Sequence, residues 1–383
     1  MVGYVMDFDK LAWGDVYKEK RLETFCDSIT GHEFSCFDAD GMLFNSVSRI
    51  MRAVSVLEKT SGDIFKEQSL KRKDQLVLSD AQRLIVAAVA IDYPELERSM
   101  VLFKVNPYVS AFYECYASMR PSNPDRVDRI ELPECFRGLN KFVAALRVRL
   151  SSSTFKRKLS SHIRATNKNY AGLLGYIDDL FARYSRLLVL RIDFAYGEGK
   201  LEIEGCPDRD DRLDLLKLVS EKVIRHRTEL LGYLKNKCPD LGLMGYVWKL
   251  EYGKEKGHHY HMMFFLDGTR VRQDIVIAKL IGEHWNNVIT EGQGVYYNCN
   301  GDKSRYKFCG VGMINYHDAE KLNNLKEKAA AYLTKVDLYV SACMPGGKRT
   351  FGKGNSPRVD ERSLGRPRKY YHQPRSEERR VGK

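Results

Sequence analysis

Apolar residues recur at helical spacing through the first half of the chain, in five segments that end near residue 184. A Pro-containing stretch at 120–125 interrupts the pattern and predicts a loop between helices. The five segments are residues 43–57, 81–96, 108–119, 136–150 and 170–184. The pattern therefore predicts a mainly helical N-terminal domain over residues 1–184.

Beyond residue 184, short apolar runs that are typical of strands alternate with longer amphipathic segments that are typical of helices. Strands are predicted at 187–194, 244–252, 258–266, 294–299 and 336–340, and helices at 209–237, 271–288 and 319–335. A polar, Gly-containing connection at 253–256 joins the second and third strands as a β-hairpin. This order matches a split β-α-β arrangement, which predicts an α+β fold with an antiparallel sheet flanked by helices over residues 185–345.

The chain after residue 345 changes character. Residues 348–369 contain eight Lys or Arg but only two acidic residues, Asp360 and Glu361. This excess of positive charge predicts a flexible or loosely docked basic arm over 346–374. The last nine residues, 375–383, read as the translation of a widely used sequencing adapter. These nine residues are excluded from the interpretation of fold and function, and the position of the true C-terminus is unknown.

The composition favours a polyanionic partner. Lys and Arg total 63 against 50 Asp and Glu, a net charge of +13 with a pI of about 9.2, which favours nucleic acid over an acidic small molecule. The nine cysteines include no Cys-x-x-Cys pair, so reduced thiols are expected rather than a zinc knuckle or a disulfide framework. Neither a leader nor an apolar run of membrane-spanning length is evident, so we expect a cytoplasmic protein without a membrane partner.

Two histidines carry the strongest chemical signal. His259 and His261 flank Tyr260 in the predicted strand 258–266, so alternation places both on one sheet face. With the hairpin turn at 254–256, Glu251 lies opposite His259, at roughly 5 Å between Cβ atoms. A His-His-Glu set with vacant positions suits a divalent cation that also binds a phosphate oxygen, Mg²⁺ or Mn²⁺. The alternative is a pair of exposed strand histidines, and His258, on the other face, is interpreted as structural.

The hairpin has one mixed face and one apolar face. The mixed face carries Val247, Lys249, Glu251, His259, His261, Met263 and Phe265, and the other carries Tyr246, Trp248, Leu250, Tyr252, Tyr260, Met262, Phe264 and Leu266. We therefore expect the apolar set to be the packed face and the mixed set, polar near the turn, to form an open site. Asp193, near the end of the first strand, is interpreted as a turn-capping residue, and the alternative is a contact with the metal region.

A tyrosine on a later helix is the candidate nucleophile. Tyr332, Lys335 and Lys328 share one face of the predicted helix 319–335 by i,i+3 and i,i−4 spacing. A phenol is a poor nucleophile at neutral pH, but a neighbouring cation and a polarised phosphate lower that barrier. Tyr332 is then the catalytic nucleophile and Lys335 neutralises charge on the phosphate. The alternative is a helix tyrosine packed on the sheet with its hydroxyl at the surface.

Three segments together resemble the three motifs of HUH endonucleases, the initiators of rolling-circle replication. They are the first predicted β-strand at 187–194, the His-Tyr-His motif at 259–261 and the Tyr-Leu-Thr-Lys motif at 332–335. Within that superfamily the chain is most similar to the replication proteins of filamentous phages (inoviruses) and the YagK/YfjJ C-terminal domain family. The resemblance covers about residues 185–355 and is carried by residues 248–253, 257–268, Trp285, 332–337 and 349–354. It implies an HUH nuclease domain whose third metal ligand varies between members.

The resemblance implies a metal-dependent nickase that cuts one strand of origin DNA, forms a 5′-phosphotyrosyl link and rejoins the strand after a round of replication. Host replication helicase and polymerase are then further partners, and an oligomer is compatible with this role. Further contacts with DNA are expected at Lys328, Lys249, Arg349 and Lys353. A plasmid relaxase or a single-tyrosine transposase with the same chemistry, and a non-catalytic DNA-binding regulator, remain as alternatives.

Overall fold

The computed structural model of the protein describes residues 24–26, 33–35, 40–66, 78–100, 103–128, 130–197, 209–253, 257–335, 340–342, 344 and 347–357. Most of the described chain before residue 184 is helical, as predicted. Its helices are α1 (Asp40–Lys59), α2 (Asp80–Val89), α3 (Tyr93–Met100), α4 (Pro107–Met119), α5 (Leu132–Ser151) and α6 (Ser153–Arg183). The prediction of one helix over 81–96 is wrong, because Pro94 has no backbone N–H and cannot donate the hydrogen bond that a continuous helix requires.

Local capping signals define where the helices begin. Ser79 accepts a hydrogen bond from the Gln82 amide at 3.4 Å, while the Gln82 side chain accepts one from the Ser79 amide at 2.7 Å. This reciprocal pair is a capping box for α2. Ser152 caps α6 in the same sense, accepting from the Phe155 amide at 3.2 Å. Ser152 therefore separates α5 from α6, which begins well before the predicted segment 170–184.

An antiparallel sheet forms the second part of the fold. Its strands are β1 (Thr24–Cys26), β2 (Glu33–Ser35), β4 (Arg186–Tyr196), β5 (Leu243–Gly253), β6 (Gly257–Asp267), β7 (Gly294–Asn298), β8 (Gly312–Asn315) and β10 (Phe351–Lys353). The order is β10-β5-β6-β4-β7-β1-β2, and β8 pairs with β4. A separate ladder joins β3 (Phe103–Val105) to β9 (Val340–Ala342). The α+β fold class is confirmed, whereas the boundary at residue 184 stays a prediction.

Strand β4 is central and has a gap on one side. β6 pairs along most of one edge, whereas β7 covers only residues 192–196 of the other edge and β8 only residues 186–189. Asn300 fills the interval between them. It accepts a hydrogen bond from the Arg191 amide at 2.9 Å and donates one to the Val189 carbonyl at 3.0 Å. A single side chain thereby satisfies backbone groups that would otherwise lack ladder partners.

The helices after β4 follow the predicted order. They are α7 (Arg209–Asn236), α8 (Asp274–His284) continued by a π-helical turn at Trp285–Ile289, then α9 (Ala319–Asn324), a second π-helical turn at Leu325–Ala330, and α10 (Ala331–Lys335). The sequence missed β8 and β10, which have only four and three residues, and also the three-residue strands β1, β2 and β3 within the part predicted to be helical. The first part of the predicted basic arm is in fact β10, an edge strand on β5. Residues 336–339 of the predicted last strand and residues 358–383 lie outside the described chain.

Both faces of the sheet are packed, so the expectation of one packed and one open face is wrong. The apolar set of β5 and β6 joins the larger core with residues of α7 and α8, such as Val223 and Ile281. The mixed set is covered by α6 and α10, because Val247, Met263 and Phe265 pack with Tyr176 and Leu333. None of the described helices has both the length and the hydropathy needed to cross a bilayer.

Candidate metal centre

The β5–β6 hairpin places the three predicted ligands together. Its register sets Glu251 opposite His259 and Lys249 opposite His261, as the turn position predicts. Glu251 Oε2 lies 3.8 Å from His259 Nε2 and 3.5 Å from His261 Nε2. One possible ligand atom from each of the three residues lies within 4.8 Å of the other two. Glu251, His259 and His261 are 8%, 5% and 1% exposed, so the cluster lies well inside the protein.

The Nδ1 atom of each imidazole lies near an oxygen atom, and the contact of His259 has the geometry of a hydrogen bond whereas that of His261 is an ion-pair contact. His259 Nδ1 lies 3.1 Å from the Gly257 carbonyl oxygen, and His261 Nδ1 lies 2.8 Å from Asp193 Oδ1. The hydrogen bond to Gly257 assigns the ring proton of His259 to Nδ1. In both rings, Nε2 is the nitrogen that faces Glu251. Metal-binding histidines typically have such an outer acceptor, which fixes the tautomer and the ring orientation. The donor set and its surroundings therefore fit a divalent cation.

Asp193 lies opposite His261 in the β4–β6 register, well within a strand that continues to Tyr196. The interpretation of Asp193 as a turn-capping residue is therefore wrong. The sequence contained a usable signal: Arg191 and Asp193 alternate with Ile192 and Phe194 in an otherwise apolar strand, and a buried acid needs a partner. What the sequence did not reveal is that β6 is the neighbour of β4.

Charge couples the groups of this cluster. Burial by itself would raise the pKa of Asp193, but the positive charges of His261 and Arg191 hold it well below its usual range. Burial opposes protonation of His261, yet the carboxylates of Asp193 and Glu251 outweigh it and raise the pKa of that histidine to about 9. Two buried carboxylates thus create a place for positive charge between them, which a proton or a metal cation can supply.

Arg191 contributes a further cation on the same face. Its Nη2 lies 3.6 Å from Asp193 Oδ2, and its side chain is 12% exposed. Burial works against this charge, but Asp193 and the nearby thiol of Cys299 raise the pKa of Arg191 well above its usual range. Tyr306 lies in the same neighbourhood, where burial and then Cys299 raise the pKa of its phenol above its usual range. Sequence reasoning missed these three residues as neighbours of the site.

Tyr332 contacts the cluster from α10. Its ring centroid lies 5.5 Å from that of His261 at an interplanar angle of 84°. Arg191 Cζ lies 4.7 Å from the centre of the same ring. The π-helical turn at Leu325–Ala330 comes directly before α10, and such turns are frequent at functional sites. The predicted nucleophile and the predicted metal ligands therefore lie side by side, although they are distant in sequence.

The other predicted site residues have varied surroundings. Lys328 is exposed, with its Nζ 4.7 Å from the Phe308 ring centre, whereas Lys249 is only 1% exposed. Lys353 Nζ lies 4.6 Å from the Tyr176 ring centre. Arg349 is exposed beside Trp248, on the other face of the sheet. The side chain of Lys335 lies outside the described part of the protein.

Comparison with known proteins adds one finding. A sequence model of the YagK/YfjJ C-terminal domain family matches residues 151–354. No curated protein and no solved structure gives a match. The matched region begins at the end of α5 and includes the metal-ligand cluster, Tyr332 and β10. Because it spans more than half of the chain, the protein belongs to the YagK/YfjJ C-terminal domain family.

Proposed function

We propose that the protein is a metal-dependent DNA endonuclease and strand transferase of the HUH type. The observation that supports this most is the contact between Tyr332 and His261, since it joins a candidate nucleophile to a metal-ligand cluster. A purely structural metal site has no need for a half-buried tyrosine beside an arginine that is 12% exposed. The Mg²⁺ or Mn²⁺ expected here would be held by His259, His261 and Glu251.

The reaction transfers a phosphoryl group to the tyrosine. The Tyr332 oxygen forms a bond to phosphorus, the bond from phosphorus to the 3′ oxygen breaks, and the phenolic proton ends on the departing 3′ oxygen. The products are a 5′-phosphotyrosyl link and a free 3′-hydroxyl. When bound, the metal ion would act as a Lewis acid on the scissile phosphate. Asp193 and the Gly257 carbonyl orient the imidazoles, and Lys335 is the proposed neutralising cation near the tyrosine.

DNA is the proposed partner. The net charge of +13 favours a polyanion, and Lys328 adds an exposed cation on the segment that leads into Tyr332. The 3′-hydroxyl left by such a nick primes DNA synthesis, so initiation of rolling-circle replication in a filamentous phage or prophage is the role we propose. The host helicase and polymerase would then act on the nicked origin.

Two other kinds of role are alternatives, one with the same chemistry and one without it. A plasmid relaxase or a single-tyrosine transposase would employ the same residues on different DNA. A DNA-binding regulator would need no metal and no nucleophile. The buried set of Glu251, His259 and His261, with Tyr332 against it, favours a catalytic protein over a regulator.

A covalent-adduct assay tests the proposal. The protein is incubated with supercoiled DNA from around its own gene and with a random single-stranded pool, in Mn²⁺, Mg²⁺ or EDTA. With the end-labelled single-stranded pool, denaturing gels should show a protein–DNA adduct that retains the 3′ label, together with a free 5′-labelled fragment that ends in a 3′-hydroxyl. The adduct should require metal and disappear in Tyr332→Phe.

The matched control is Tyr316→Phe, which changes an exposed tyrosine in the segment after β8. It should form the adduct at the wild-type rate. An adduct that persists in Tyr332→Phe, or forms equally well in EDTA, contradicts the mechanism. DNA binding without any adduct in the wild-type protein supports the regulator instead.

A further inference from the structure

Arg191 lies on the site face of the central strand. Alternation along β4 places it on the same side as Asp193, and the register sets it opposite Met263 of β6. Its backbone is held where β7 and β8 leave a gap: the amide donates to Asn300 at 2.9 Å, and the carbonyl accepts from the Cys299 amide at 3.1 Å. The guanidinium therefore projects from a well-anchored position.

The side chain of Arg191 has unused hydrogen-bonding capacity. Its Nε is buried and has no hydrogen-bond partner among the described residues. One of its Nη atoms is 3.6 Å from Asp193, too far for a strong hydrogen bond. A buried charged donor without an acceptor is unfavourable, so such a group is expected mainly where a ligand supplies the acceptor.

The position of Arg191 identifies the class of that ligand. The guanidinium lies over the Tyr332 ring, with 4.7 Å from Cζ to the ring centre, within the range of a cation–π contact. Tyr332 in turn contacts His261, so the arginine, the tyrosine and the metal ligands surround one small region. A planar group with several N–H donors suits phosphate oxygens, which it can bind through two parallel hydrogen bonds.

We infer that Arg191 is a further catalytic residue, which holds the Tyr332 ring and donates hydrogen bonds to non-bridging oxygens of the scissile phosphate. This inference rests on the proposed function, because the phosphate is the one that Tyr332 attacks. Arg191 stays protonated throughout and exchanges no proton. Its donors stabilise the charge on the phosphate oxygens while the bond to Tyr332 forms and the bond to the 3′ oxygen breaks.

A structural alternative is that Arg191 only holds Asp193 in place for His261. The two roles differ in what a substitution changes. Loss of a phosphate donor slows the reaction and leaves the metal site intact. Loss of a support for Asp193 weakens metal binding in the same way as a change at Asp193 itself. Metal affinity and adduct rate must therefore be measured on the same variants.

The experiment compares Arg191→Met, Arg191→Lys and Asp193→Asn with Arg186→Met. Arg186 is a matched control on the same strand, where its Nε donates to Asn315 at 2.7 Å. Calorimetry with Mn²⁺ alone gives metal affinity, and the denaturing gel gives adduct rate. Arg191→Met should slow the adduct by about 100-fold or more, keep Mn²⁺ affinity within about threefold, and be partly restored in Arg191→Lys.

A third measurement separates this inference from the proposed function. Binding of the single-stranded pool in Mn²⁺ is measured in a Tyr332→Phe background, where no chemistry occurs. Adding Arg191→Met should weaken this binding by about tenfold, whereas adding Arg186→Met should change it little. If the wild-type protein forms no adduct but this difference remains, the nicking proposal fails and the phosphate contact stands.

Three results would overturn the role of Arg191. The first is an adduct rate in Arg191→Met equal to that of the wild-type protein. The second is a loss of Mn²⁺ affinity in Arg191→Met as large as in Asp193→Asn, which assigns the arginine to support of the aspartate. The third is equal DNA binding by the Arg191→Met and Arg186→Met forms of the Tyr332→Phe protein.

Discussion

The two faces of β6 carry buried histidines with opposite behaviour. On the site face, burial opposes the charge of His261, yet Asp193 and Glu251 raise its pKa to about 9. On the opposite face, which lies against α7 and α8 and is called the packed face below, burial lowers the pKa of His258 to about 3. Neither ring nitrogen of His258 has a hydrogen-bond partner in the described chain. Burial alone therefore does not identify a functional histidine. What distinguishes the two is the presence of carboxylates on neighbouring strands.

The helix α7, which lies against the packed face, contributes His226, whose Nδ1 lies 2.9 Å from the Tyr196 hydroxyl. Burial lowers the pKa of this imidazole to about 4. Trp285 packs edge-on against it, with 6.0 Å between ring centroids. His226 therefore acts as a neutral core residue, in contrast to the charged cluster on the opposite face.

The largest expected effect concerns the metal ligands. His259→Ala should lower Mn²⁺ affinity by about 100-fold or more, since it removes one of three donor groups. His258→Leu, a change on the packed face of the same strand, should leave that affinity within about threefold. Titration calorimetry on chelator-treated protein checks both values. Equal losses in the two variants would show that the faces do not differ in metal binding.

A pH-dependent prediction addresses the packed face. The pKa of His226 is about 6.5 in the unfolded chain and about 4 in the folded protein. Between these pH values the unfolded chain binds a proton at His226 and the folded protein does not, so the free energy of unfolding falls as the pH is lowered. From the pKa of about 4 in the folded state, this loss is about 2 kcal/mol between pH 8 and pH 5. His226→Phe should remove that part of the pH dependence. Urea unfolding at several pH values measures it, and an unchanged slope would disprove the assignment.

A smaller effect is expected from the outer partner of His261. Asp193→Asn keeps the size of the side chain but removes its charge, and should weaken Mn²⁺ binding by roughly 10- to 100-fold. The comparison variant is Asp178→Asn, on the exposed outer surface of α6, where the aspartate pairs with Lys326. That change should have no effect on Mn²⁺ affinity. Unaltered affinity in Asp193→Asn would mean that the aspartate is not part of the metal site.

The smallest predicted effect concerns DNA contacts on the two faces. Lys328→Ala, next to the tyrosine helix, should weaken binding of single-stranded DNA by about threefold and lower the salt-dependence slope by about 0.7. Arg349→Ala should have a smaller effect, because Arg349 lies beside Trp248 on the other face. Fluorescence anisotropy at several salt concentrations tests both. A larger effect at Arg349 would place the DNA on the packed face.

Local patterns predicted the hairpin well. Alternation in β6 and the polar connection at 253–256 were sufficient to set Glu251 opposite His259, and the observed register agrees. The same alternation separated the two faces correctly. It failed to show that the mixed face is covered, because coverage depends on where α6 and α10 pack, and these helices are distant in sequence.

The sequence by itself determined which side chains of the hairpin share a face, because strand alternation and a short turn are local properties. It also identified Tyr332 as a candidate. Only the tertiary structure decided that β4 lies beside β6, which brings Asp193 to His261 and Arg191 to the tyrosine ring. Strand order and helix docking arise from the packing of the whole core, so no local spacing encodes them, and this packing joins the separate motifs into one site.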